Sequence, residues 1–386
     1  MSDRAPDDSP DRPGSRILPA DPHAAWRRAD AKIRAAIERV CDSGRYILGP
    51  EVAAFEAAWA AYVGVRHAVG VASGTDAIEL ALRACGVRSG DLVLTAANTV
   101  TATVAAMERA GARLALADVD PETLVLDVPG LAQWLAGPDA PRLRAVVAVH
   151  LYGHPVDMPA LEALADEHGF VVIEDAAQAH GAVSGGRRVG SRGAAAAFSF
   201  YPTKNLPAFG DAGAVTTDDA AIAERARRLR QYGWRERYVA EEPGLNSRLD
   251  EMQAAILRVG LEALDQDNAR RRAIAERYRE ELAGIPELVL PVEPAWGRSV
   301  WHQFVVRTPR RDALRAHLLA RGIHAAVLYP QPIHRQPAYR NRVLVPPGGL
   351  PVAERASREL LCLPVHPGLS EVDVERVVAA VRAFPV

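Results

Sequence analysis

Lysine is almost missing from this chain. Of its 46 basic residues only Lys32 and Lys204 are lysines; the rest are arginines. Arginine keeps its proton near neutrality, whereas lysine gives it up once desolvated or set beside another cation. Any amine chemistry therefore has two candidate side chains. A GC-rich coding sequence would explain part of the arginine excess, but not why Lys204 remains where it does. Cysteine is scarce too. Cys41, Cys85 and Cys362 are odd in number and far apart, which argues against a disulfide framework or a zinc cluster and fits the reducing cytoplasm. The 11 histidines show no zinc-ligand spacing, so no metal is expected. A net charge of −2 offers no bulk attraction for nucleic acid or an anionic membrane. No run of about 18 apolar residues could span a bilayer. No Gly-x-Gly-x-x-Gly follows a strand and no Gly-x-Ser-x-Gly elbow occurs, which removes the usual support for nicotinamide binding and for a serine hydrolase.

What is present reads as a globular protein. Apolar residues make up 49% and charged residues 24% of 386, which excludes wholesale disorder and suggests two or three domains. Residues 1–20, rich in Pro, Asp, Ser and Arg, read as a disordered tail with no apolar signal segment. Amphipathic spacing predicts helices over 27–43 and 51–62. A strand–helix alternation follows, with strands at 67–73, 91–95, 113–119, 145–150, 170–174, 193–200 and 213–217. Such alternation implies parallel pairing with crossover helices. A long helical stretch is expected over 248–282. Beyond it the pattern changes, with strands at 288–290, 302–307 and 325–328 and helices at 311–321 and 370–384. The expected fold class is α/β: a three-layer α/β/α large domain (21–265) with a mostly parallel sheet, plus a smaller C-terminal α+β domain (266–386).

Ligands of open parallel sheets gather at the carboxyl ends of the strands, and three features sit there. Ser73-Gly74-Thr75-Asp76 joins a strand to a helix, offering close backbone approach and free N–H groups suited to phosphate, although any strand–Gly–helix turn looks similar. Asp175 ends the wholly apolar strand Val171-Val-Ile-Glu-Asp; a buried carboxylate needs a cation or several donors, and a plain helix cap is the alternative. Lys204 follows a strand and a Pro-containing turn in Phe198-Ser-Phe-Tyr-Pro-Thr-Lys-Asn205, among aromatic and small residues. Partial desolvation there would lower its pKa and make it a nucleophile or base. A lysine on a surface loop is the alternative. Phosphate cradle, carboxylate and amine, in that order, suit pyridoxal 5'-phosphate.

From about Gly49 to the C-terminus the chain resembles the DegT/DnrJ/StrS sugar aminotransferases, which have the aspartate-aminotransferase (type I) fold. The resemblance is carried by Ser73-Gly-Thr-Asp-Ala, Val149-His-Leu-Tyr-Gly-His-Pro-Val-Asp157, Glu174-Asp-Ala-Ala-Gln-Ala-His-Gly181, Ser199-Phe-Tyr-Pro-Thr-Lys-Asn-Leu206, Gly210-Asp-Ala-Gly-Ala214 and Gly244-Leu-Asn-Ser-Arg-Leu-Asp-Glu-Met-Gln-Ala254. It implies that Lys204 forms the Schiff base, that Asp175 pairs with the pyridinium nitrogen and that Gln178 contacts the ring hydroxyl. Gly74, Thr75 and Ser199 would hold the phosphate. Asn246 would reach it from a second subunit, implying a homodimer with a shared active site. Tyr329 and His334 match the family's substrate side. Val100 stands where an aromatic usually covers the cofactor face. Retention of Lys204 argues against the dehydratase members, which carry His there.

The resemblance thus implies a transaminase moving an amino group from L-glutamate to a nucleotide-linked, dTDP-type 3-keto-6-deoxyhexose in amino-sugar and antibiotic biosynthesis. Amination at C4 or of a cyclitol ketone is the nearest alternative. A nicotinamide-dependent oxidoreductase and a non-catalytic regulator that binds pyridoxal phosphate are the alternatives from other classes.

Overall fold

The computed structural model describes residues 16–385. Most of the expected tail therefore lies outside the described residues. Its last part does not behave as a tail. Ile17 is buried, its N–H donates to the Gly322 carbonyl at 2.9 Å, and its carbonyl accepts from His324 N–H. A lone apolar side chain had a core to enter.

The centre is an eight-stranded sheet. Its strands in chain order are β1 (His67–Val71), β2 (Leu92–Ala96), β3 (Arg113–Ala117), β4 (Leu143–Val149), β5 (Val171–Asp175), β6 (Ala195–Ser199), β7 (Gly213–Thr217) and β8 (Val343–Leu344). Across the sheet they run β1-β7-β6-β5-β4-β2-β3-β8. Every pairing is parallel except those of β7, which is antiparallel to both β1 and β6. Strands β2 and β7 are buried at every position, as expected for a sheet covered on both faces. Helices Gly74–Ala84, Thr101–Arg109 and Met158–His168 connect the strands.

The long helical stretch breaks in two, Glu251–Leu261 and Leu264–Glu281. Gly260, a poor helix former, occupies the last turn before the break. Glu251 is fully buried, and its carboxylate accepts from the N–H groups of Gly49, Glu51 and Val52, capping helix Pro50–Val63 from a distant part of the chain.

The C-terminal unit has its own core of Tyr278, Trp301, Phe304, Leu314 and Val374, around the antiparallel pair Phe304–Arg307 and Leu360–Leu363. The strands expected at 288–290 and 325–328 reduce to single bridges, Val289–Arg307 and Ala326–Cys362. Contacts cross the boundary expected near 265. Strand β8 joins the large sheet, and Tyr339, Ala353 and Leu360 pack into its core.

Candidate active site

The lysine loop leaves β6 at Ser199. Phe198 and Phe200 flank that exit and are fully buried against Phe55, Trp59 and His180. This aromatic block fixes the strand end, so the following turn, closed by Lys204 N–H to the Tyr201 carbonyl at 2.8 Å, projects from a rigid base. Burial lowers the Lys204 pKa to about 8, against an opposing pull from the charge of Asp175. Among the described residues Lys204 Nζ makes no hydrogen bond or ion pair.

Asp175 ends β5 and is buried. Its Oδ2 accepts from Thr103 Oγ1 at 2.8 Å and its Oδ1 from Ala177 N–H at 3.2 Å. Burial pushes its pKa up; those two donors and the charge of Lys204 pull it back. The pleat turns its neighbour Glu174 the other way. Glu174 accepts from the N–H groups of Gly190 and Arg192 and contacts His150 Nε2 at 3.0 Å. Asp175 is thus the carboxylate, among the described residues, whose charge acts on Lys204.

Ser73 caps helix Gly74–Ala84, its Oγ accepting from Asp76 N–H. The first-turn N–H groups of Gly74 and Thr75 precede the first intrahelical bond and stay available. Asp76 would repel an anion there, but it is drawn aside by Ser247 Oγ at 2.8 Å and Arg109 Nη2 at 2.9 Å. A Cβ on Gly74 would lie 2.5 Å from Ser199 Cβ, and one on Gly213 would lie 2.3 Å from the Ser73 carbonyl oxygen. The helix start and the end of β6 therefore meet at a distance only glycine permits.

Gln178 Oε1 accepts from Tyr152 N–H at 2.7 Å, and its Nε2 donates to Tyr329 Oη at 3.2 Å. Tyr152 Oη in turn donates to the Leu328 carbonyl at 2.5 Å and accepts from Asn98 Nδ2 at 3.2 Å. Val100 is the N-cap residue of helix Thr101–Arg109 and is half-buried. His334 faces Glu354, with Nε2 2.8 Å from its carboxylate. Asn246 is exposed and pairs through its backbone with Gln231.

Sequence reasoning did not single out Thr103, Tyr152, Asn98 or Asn205 for a role. Thr103 had a local signal, since Thr99 lies only four residues before it and their hydroxyls are 2.9 Å apart across the start of the helix. Tyr152 and Asn98 had none, because their bonds are long-range: Asn98, just past β2, donates to Tyr152, just past β4, which donates to the Leu328 carbonyl.

The residues fit pyridoxal phosphate. Among the described residues a buried carboxylate lacks a cation in contact and a half-buried amine lacks a partner, and a helix terminus approached through glycine presents free N–H groups. Fold and site together define a transferase that uses vitamin B6. Residues 27–382 match the DegT/DnrJ/EryC1/StrS aminotransferase family. The chain is 51% identical over 364 residues to the dTDP-3-amino-3,4,6-trideoxy-alpha-D-glucose transaminase of Streptomyces venezuelae, covering 94% of this chain and 95% of that one. It is 48% identical over 365 residues to the erythromycin biosynthesis sensory transduction protein EryC1 of Saccharopolyspora erythraea, covering 94% and 98%. It superposes on the crystal structure of S. venezuelae DesV with a TM-score of 0.91 at 50% identity, covering 95% and 98%. The chain belongs to the DegT/DnrJ/EryC1/StrS family and is a pyridoxal-phosphate-dependent aminotransferase of nucleotide sugars.

Proposed function

We propose that this enzyme transfers the amino group of L-glutamate to C3 of a dTDP-linked 3-keto-6-deoxyhexose, in the cytoplasm, as a homodimer. The Streptomyces relative, half identical over nearly the whole chain and named for a 3-amino sugar, carries this reading.

In this reading Gly74 and Thr75 N–H groups and Ser199 Oγ bind the cofactor phosphate, with the partner subunit's Asn246 completing the cradle. Bound pyridoxal phosphate supplies an electron-poor ring that takes up the charge left when the donor's Cα–H bond breaks. Asp175 keeps the ring nitrogen protonated, and Thr103 keeps Asp175 ionised by donating to it. Gln178, fixed by Tyr152, orients the ring hydroxyl. Lys204 anchors the cofactor, then takes the proton from the donor's Cα and delivers it to C4'. An amine with a pKa near 8 has a neutral fraction for that work at neutral pH. Tyr329 and His334 line the sugar side. Exposed aromatic residues, Tyr201 beside the lysine turn and Tyr46, Tyr232 and Tyr238 elsewhere, support a second copy as partner.

The test is incubation of purified protein with glutamate and a panel of dTDP-3-keto and dTDP-4-keto sugars, with mass detection of the amino product. Amination of a 4-keto sugar alone would overturn the C3 assignment. The name of the Saccharopolyspora relative favours a second reading, a regulator that binds the cofactor without turnover. Such a protein would still hold the cofactor through Lys204 but would have no turnover to lose, and conversion of the bound cofactor by glutamate alone would exclude it.

A further inference from the structure

The lysine loop runs from Ser199 to Asn205, and both its ends return to one residue, His180. At the first end, His180 Nε2–H donates to the Ser199 carbonyl at 2.8 Å. The carbonyl can only accept, so Nδ1 is the unprotonated nitrogen; it is buried without a partner. At the second end, the Asn205 amide donates to Asn268 Oδ1 at 2.9 Å and to the Val300 carbonyl at 3.2 Å, and Oδ1 accepts from His302 Nδ1–H at 2.9 Å. Asn268 Nδ2 then donates to the His180 carbonyl at 2.8 Å. The amide orientations follow from the partners: a flipped Asn205 would set its oxygen against the Val300 carbonyl, and a flipped Asn268 would set its oxygen against that of His180.

The chain of bonds is closed and mostly buried. His180, Asn205 and His302 are 0%, 5% and 5% exposed and Asn268 is half-buried, so a bond lost at any of the first three would strand a buried polar group. It also joins three parts of the fold: the lysine loop, helix Leu264–Glu281 through Asn268, and the C-terminal unit through Val300 and His302.

We propose that Asn205, Asn268 and His302 are positioning residues for Lys204, forming with His180 a clamp on both ends of its loop that fixes the half-buried amine and ties its placement to the docking of the C-terminal unit. The groups acting on the amine or acted on by its charge are Asp175, His180 and His302, and Asp21, Arg28, Asp267, Arg271 and His366 line a small cavity beside the loop. Burial holds both clamp histidines neutral, with the charge of Lys204 acting in the same direction. The inference rests on Lys204 as the reactive amine and not on the sugar or the carbon aminated.

The scarcity of lysine makes a clean test. Competitive acetylation of the cofactor-free protein from neutral to alkaline pH, read by mass spectrometry, reports Lys204 beside exposed Lys32 as internal standard. Wild-type Lys204 is expected to titrate near 8. In Asn205→Ala and His302→Leu its midpoint rises by about one pH unit or more as the loop takes up water. The glutamate half-reaction of the holoenzyme slows by on the order of 10- to 100-fold, with KM for the sugar unchanged. His302→Asn, whose amide can donate from near the Nδ1 position, recovers most of both. Should the buried variants fail to fold, half-buried Asn268→Ala provides the same readout. Folded variants with an unmoved Lys204 midpoint and only a lower melting temperature would overturn the clamp. Wild-type Lys204 titrating at the ordinary lysine value of about 10.4 would instead overturn the reactive-amine assignment itself.

Discussion

Lys204 and Asp175 illustrate how burial sets chemistry one group at a time. Below pH 8 the folded cofactor-free protein carries a desolvated ammonium. Between about 8 and the ordinary lysine value of about 10.4 the unfolded chain holds a proton that the folded one has released, so stability rises through that window. Lys204→Met should therefore melt higher than wild type at pH 7, with the difference shrinking toward pH 10; calorimetry at both values checks this. Lys204→Arg should abolish turnover while leaving the melting curve cooperative, because a guanidinium cannot shed its proton. The Thr103 hydroxyl opposes the upward push of burial on Asp175. Removing it in Thr103→Val lets the carboxylate protonate at higher pH. The acid limb of the kcat/KM profile should then move upward, with KM for the sugar unchanged.

At the scale of elements, the junction of β1, helix Gly74–Ala84 and β6 is built on close approach. An alanine at 74 places its Cβ 2.5 Å from that of Ser199, and either the helix start or the strand end must yield. Losing one or two N–H contacts of about 1 kcal/mol each should weaken cofactor retention by on the order of 10-fold, measurable by spectroscopic titration of Gly74→Ala. Elements were also where the sequence was most legible. β1 to β7 lie within a few residues of their expected ranges, since short apolar runs between turn signals mark strands buried on both faces. Reading failed where pairing is nearly all long-range. The two-residue β8 has no periodicity of its own, and the segments 288–290 and 325–328 are apolar enough for strands but find only one bridge each.

Considered whole, the molecule is interleaved, with Ile17 on the C-terminal unit and β8 on the large sheet. The active site shows the same logic if Asn246 serves a second copy. Mixing Lys204→Arg with Asn246→Ala subunits should then restore activity that neither variant has alone, because one site of each mixed dimer is intact. With random exchange about a quarter of sites recover. No recovery after verified subunit exchange would place Asn246 outside the partner's site.

The amino-acid sequence by itself determined the class of chemistry. A nearly lone lysine, an acid closing an apolar strand and a Ser-Gly-Thr turn are local patterns, each legible because a strand end or helix start dictates its neighbours within a few residues. Only the tertiary structure decided which groups meet. That Thr103 donates to Asp175, that the Tyr152 N–H donates to Gln178, and that His180 bonds one end of the lysine loop directly and the other through Asn268 all depend on groups far apart in the chain. Their pairing follows from the strand order β6-β5-β4-β2, which no local periodicity encodes, and the pKa of Lys204 follows from the water that this packing excludes.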